Sequence, residues 1–166
     1  MSIQVVIATD GSDEAIGGAA RSLALIPPDA DIRLVTVIDE RHDPSEDAGG
    51  FEGPLLTEEE ADADYAAERA AAAEAIERTE RRLGGRVVTE QILPTSAPVA
   101  RALAELAEAE GIDLLVVGGD RVGWLERLLH GAVDEQLVRR APCPVLVMNH
   151  PAGTEAGAGP AGRMGG

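Results

Sequence analysis

The sequence contains no lysine; all 14 basic residues are arginine. That absence excludes chemistry. A Walker A lysine, a pyridoxal Schiff base and a kinase-type lysine are all ruled out. There is one cysteine, Cys143, so no disulfide can form within the chain. Set between Pro142 and Pro144 at the head of an apolar run, it reads as a small core residue rather than a redox centre. Aromatic residues are 2% of the chain against 45% hydrophobic residues in all, so the core must be built from Ala, Val, Leu and Ile. No apolar run approaches the ~20 residues of a membrane span. The chain opens on strand-like residues with no charged-then-apolar leader, and a cytoplasmic location is expected. His42, His130 and His150 are scattered, no Cys/His set has ligand spacing, and no metal site is expected.

Positive charge is scarce as well. The formal net charge is −16, which argues against nucleic acid and against an anionic membrane surface, both of which draw on clustered cations. The acids are concentrated. Residues 39–60 hold nine of them against the single Arg41.

What is present is an alternation. Ile3 to Ala8 are apolar and end in Thr9-Asp10-Gly11-Ser12, with Ser12 placed to cap a helix that carries Ala15, Ile16, Ala19, Ala20, Leu23 and Ala24. Ile32 to Ile38 form a second strand. Residues 39–56 read as an acidic loop inserted after it. Thr57 and Glu60 make a capping box for a helix running to Leu83, with a stripe of Tyr65, Ala72, Ile76 and Leu83 closed by Gly84-Gly85. The alanines at 70–73 read as close packing. Arg86 to Leu93 form a third strand, Pro94 to Pro98 a turn, and a helix starting at Ser96 or Ala97 carries Val99, Leu103, Leu106 and Ala107. Leu114 to Val117 form a fourth strand, followed by glycines at 118, 119 and 123. A helical pattern follows from Leu125 to Leu137, and Val145 to Met148 form a last strand. Residues 1–150 are read as one domain and 151–166 as a disordered Gly/Ala/Pro tail.

This βαβαβαβαβ order predicts an α/β fold: a doubly wound, five-stranded parallel sheet of order 3-2-1-4-5 with helices on both faces. The switch point falls between the first and fourth strands, so Asp10 and Gly11 should face Gly118 to Gly123 across a crevice. Several chemistries fail there. The first loop is not Gly-x-Gly-x-x-Gly, no lysine or phospho-accepting Asp suits a receiver domain, and no Gly-x-Ser-x-Gly elbow exists. Asp10 itself reads either as a ligand group or as the maker of a turn that caps the next helix.

The sequence resembles the universal stress protein family across nearly all of residues 1–150. The resemblance rests on Val-Val-Ile-Ala-Thr-Asp-Gly-Ser at 5–12, Val-Ile-Asp-Glu at 37–40 and Gly-Ile-Asp-Leu-Leu-Val-Val-Gly at 111–118. It is completed by Leu-Leu-His-Gly-Ala-Val at 128–133 and Ala-Pro-Cys-Pro-Val-Leu-Val at 141–147. It implies a Rossmann-like fold of the adenine nucleotide alpha-hydrolase type and a crevice for ATP or another adenine nucleotide, with or without Mg²⁺. By position the nucleotide-binding residues would be Ala8, Thr9, Asp10, Val37, Gly118, Gly119, Arg121, Gly131, Ala132 and Val133, with Asp10 and Val37 on the adenosine part. The family's phosphate loop has the form Gly-x2-Gly-x9-Gly-Ser/Thr. Gly118 and Gly131 match it; Arg121 replaces the second glycine and Ala132 the hydroxyl residue. Arg121 cannot supply a glycine's close approach, though it can fork onto a phosphate. Ala132 cannot bond through a hydroxyl. The resemblance also implies a homodimer through the last strand, Val145, Leu146, Val147 and Met148. No catalytic residues are assigned, and at most slow ATP hydrolysis is expected. Two readings stand: an adenine-nucleotide-binding stress protein, and a nucleotide-independent dimeric interaction protein with a degenerate site and an unidentified protein partner.

Overall fold

The structure, a computed structural model, describes residues 2–39, 57–118 and 133–148. The acidic loop beyond Asp39, most of the glycine loop after strand four, and the tail lie outside those residues. Five strands, β1 (Gln4–Ala8), β2 (Asp31–Asp39), β3 (Val87–Thr95), β4 (Leu114–Gly118) and β5 (Val145–Met148), form one parallel sheet of order β3-β2-β1-β4-β5. The helices are α1 (Asp13–Ser22), α2 (Glu58–Leu83), α3 (Val99–Glu110) and α4 (Val133–Arg140). The expected strand order and double winding are what the structure has.

The period of two in the strands divides the core. Val5 and Ile7 of β1 join Ile32, Leu34 and Val116 beneath α1 and α2, where Ala19, Ile76 and Leu83 pack on them. Val6 and Ala8 join Val35, Leu115 and Val117 on the opposite face, against Leu103 and Ala107 of α3 and Leu137 of α4. β1 and β4 therefore bury both faces, which is why Val5–Ala8 and Leu114–Val117 are apolar without a break. Cys143 packs half-buried at the margin of the second cluster, and burial pushes its thiol pKa up, away from nucleophilic chemistry. Among the described residues no helix is long and apolar enough to cross a membrane.

Three boundaries depart from the sequence expectation. The first helix stops at Ser22, because Ala24 and Leu25 donate to carbonyls three residues back, a tightened turn ahead of Pro27-Pro28. β3 runs through Pro94 to Thr95, which an edge strand tolerates. The third helix starts at Val99 rather than Ser96 or Ala97: the residue before a proline avoids helical angles, so Pro98 becomes the cap and Ala97 N–H turns to Thr95 Oγ1 at 3.0 Å. The capping box of Thr57 and Glu60 is present as expected.

The end of β1 is fastened to α2. Gly11 N–H donates to Thr9 Oγ1 (3.1 Å), Thr9 Oγ1 lies 3.0 Å from Thr79 Oγ1, and Thr79 Oγ1 donates to Ala75 C=O (2.7 Å). Thr79 has spent its proton on Ala75, so Thr9 must be the donor between the two hydroxyls. The relay is complete, with each proton used once. Gly11 has φ +75°, and a Cβ there would stand 2.6 Å from the Ala75 side chain. On the other side, α1 sits on the end of β4 because Gly18 and Gly118 face each other: a Cβ on Gly18 would be 3.1 Å from Gly118 Cα.

Two substitutions test this clamp by chemical denaturation. Thr79→Val leaves the buried Thr9 hydroxyl without an acceptor and should cost about 1–3 kcal/mol, while Thr79→Ser should recover most of that. Gly11→Ala adds the left-handed backbone cost, about 1–2 kcal/mol, to a collision with α2 and should destabilise by more than that cost alone. Thr79→Val at wild-type stability would show that the relay contributes nothing.

Candidate functional site

The carboxyl ends of β1 and β2 open into a cavity of about 210 Å³ lined by Thr9, Asp10, Thr36, Val37, Ile38, Glu68, Ala71, Ala72, Ala75 and Val99. Its floor exists because β1 stops early. The β1–β2 register ends at Ala8 opposite Val35, and the last main-chain bond between them runs from Thr9 N–H to Val35 C=O at 2.9 Å. In a parallel pair, the N–H and C=O of one residue point to the same side, and the side alternates along the strand. Val35, Val37 and Asp39 thus present theirs toward β1. Opposite Val37 the chain has already turned away at Gly11. In a continued ladder Val37 N–H would donate to Thr9 C=O; here Thr36 Oγ1 donates to that oxygen instead, at 2.9 Å. Val37 therefore offers an adjacent donor and acceptor to the cavity.

Asp10 stands at the other wall. Its Oδ1 accepts Ser12 N–H at 2.9 Å, forming the turn, and Ser12 Oγ accepts Ala15 N–H at 3.1 Å, capping α1. The turn-making role is real, and it leaves acceptor capacity, since a carboxylate has about four lone-pair sites. Among the described residues no other hydrogen bond reaches the Asp10 carboxylate.

The structure thus brings together Thr9, Asp10 and Val37. Ala8, one residue earlier, points into the core on the α3 face. Gly118 ends β4, buried beneath α1, beside β1 at the switch point. Val133 opens the described part of α4. Gly119, Arg121, Gly131 and Ala132 lie outside the described residues, so both departures from the phosphate-loop pattern lie there too. β5 hydrogen-bonds β4 and forms the sheet edge, with Val147 38% exposed. Among the described residues no group of three or more His, Cys, Asp or Glu side chains could hold a metal ion.

Sequence reasoning missed the α2 wall: Glu68, Ala71, Ala72 and Ala75. The alanine run does more than pack, because it leaves room above the strand ends. Helix rise held a signal. From Leu83, buried near the start of β3, eleven residues back to Ala72 span about 16 Å, roughly the length of a five-residue strand such as β1. That places Ala72 at the carboxyl end of the sheet.

Comparison with known proteins identifies the family and agrees with the fold. The sequence model of the universal stress protein family matches residues 1–149. A universal stress protein of Methanocaldococcus jannaschii is 29% identical over 152 residues, covering 89% of this chain and 82% of that protein. The crystal structure of a universal stress protein family member from Burkholderia pseudomallei superposes with a TM-score of 0.61 at 24% identity, covering 87% of this chain and 93% of that one. A universal stress protein solved in complex with cAMP gives 0.52 at 25% identity, covering 89% and 97%. With a family match over residues 1–149 of its 166, the chain belongs to the universal stress protein family.

Proposed function

We propose that the cavity binds the adenosine part of an adenine nucleotide and that the protein acts as a nucleotide-binding stress protein. The observation that carries this is the edge of Val37, unpaired among the described residues. Its N–H suits N1 of adenine, an acceptor, and its C=O suits the 6-amino group, a donor. The two lie side by side at a spacing set by the backbone. Asp10, across the cavity, suits the ribose hydroxyls, which donate. Ala71, Ala72 and Val99 supply the apolar walls a flat base requires. The volume is below the ~300 Å³ of common ligand sites, in keeping with a pocket for the nucleoside and a separate place for the phosphates. The cAMP complex of a relative with this fold supports the same class of ligand.

The phosphates belong at the switch point beyond Gly118, next to the main-chain N–H groups that open the last helix. Mg²⁺, where it accompanies ATP, would rest on phosphate oxygens, since the described side chains form no metal cluster. The sheet edge favours the dimer: β5 is four apolar residues with one side unpaired in the described chain, an edge that a second copy can cover.

Calorimetry with AMP and with ATP, in the presence and absence of Mg²⁺, tests the site. Asp10→Asn keeps the acceptor that makes the turn but removes the charge, and should weaken AMP by about tenfold. Arg121→Gly with Ala132→Ser should strengthen ATP while leaving AMP within a few-fold. Absence of heat at millimolar AMP would reject the adenosine reading and favour the nucleotide-independent one. Sedimentation at micromolar concentration should show a dimer, and Val147→Arg should convert it to monomer.

A further inference from the structure

Glu68 stands in the cavity wall, and its Oε1 accepts Asp39 N–H at 3.2 Å. The position has chemical meaning because of the order of groups along β2. The main-chain groups turned toward the cavity run Val37 N–H, Val37 C=O, Asp39 N–H toward the carboxyl end. Left bare, that edge is donor, acceptor, donor. A purine seated with N1 on Val37 N–H places its 6-substituent on Val37 C=O, with Asp39 next along the strand. A 6-amino group carries two protons. One meets Val37 C=O, and a bare Asp39 N–H would repel the other. A 6-oxopurine carries a proton on N1, which Val37 N–H already opposes, but its O6 would find in that outer N–H a donor of the right kind.

Glu68 reverses this. By covering Asp39 N–H it replaces a donor with a carboxylate, which accepts hydrogen bonds and donates none. The edge becomes donor, acceptor, acceptor, the complement of a 6-aminopurine. The Glu68 carboxylate also faces a 6-oxo group with like polarity, a repulsive element that discriminates as much as an attractive one. We propose that Glu68 is a second specificity-determining residue, which adds to the preference set by Val37 for purines bearing a 6-amino group over those bearing a 6-oxo group. The proposal rests on the adenosine reading of the cavity and names a side chain that sharpens its base preference. It needs no change in the main chain, because Glu68 reaches β2 from the exposed side of α2.

AMP and IMP test it, because they carry the same phosphate and ribose and differ only on the base edge, at position 6 and in the proton that IMP carries on N1. The change in their ratio on substituting Glu68 isolates its share from that of Val37. Calorimetry on the wild type should show AMP binding at least about tenfold tighter than IMP. In Glu68→Ala, which uncovers Asp39 N–H, the AMP:IMP ratio should fall by about tenfold. In Glu68→Gln, whose amide can donate to O6, IMP should gain while AMP weakens. Both substitutions lie on an exposed helix surface, and unchanged thermal melts confirm that folding is intact. AMP binding to the wild type with a ratio that neither variant moves would overturn the role of Glu68 and leave the adenosine reading standing. A wild type that binds neither nucleotide would overturn both.

Discussion

The clamp between the end of β1 and α2 is the constraint on which the rest of the crevice depends. Thr9, Thr79 and the Ala75 carbonyl carry one uninterrupted line of hydrogen bonds, and Gly11 brings its backbone against Ala75 where no other residue fits. These contacts turn the chain sharply out of the sheet. They also hold α2 at the height at which Ala71 and Ala72 roof the strand ends. If β1 ran one pair further, Thr9 would complete a ladder with Val37 and the donor–acceptor edge would be consumed in the sheet.

The recognition chemistry thus follows from topology. A parallel strand hides its polar backbone only while a neighbour lies alongside. Where β1 leaves and β2 continues to Asp39, β2 exposes groups that are already rigid and already oriented, so little ordering is needed when a ligand binds. Thr36 takes the Thr9 carbonyl and Glu68 takes the Asp39 amide, leaving Val37 between them. The glycine pair Gly18 and Gly118 does the corresponding work at the switch point, letting α1 descend onto β4 so that the start of α1 and the end of β4 lie at one mouth.

Most of this fold was legible in the sequence. Unbroken apolar runs such as Val5–Ala8 and Leu114–Val117 mark strands buried on both faces. Thr57 with Glu60 marks a helix start, and Gly84 and Gly111, both left-handed in the structure, mark helix ends. That Asp10 and Val37 line one cavity was anticipated through family resemblance. The limits have physical causes. Ser96 and Ala97 suit a helix start until the steric demand of Pro98 on its predecessor is counted. Pro94 reads as a breaker, yet an edge strand absorbs it. Glu68 was invisible because a carboxylate on an exposed helix face carries no periodic signal; its meaning comes from Asp39, 29 residues away, across a gap that only the folded chain closes.

That the base-reading edge is made of peptide groups bears on how such a protein diverges. Every residue but proline carries the same N–H and C=O, so side-chain drift at position 37 leaves the edge unchanged while the strand endures. On the proposed reading, the adenine edge goes with the architecture rather than with the residue type at position 37. On the same proposal, base preference is sharpened by a side chain, Glu68, that no core contact restrains. A single substitution at that exposed position would alter it at little cost to folding, so the backbone would fix the class of ligand and the rim would tune it.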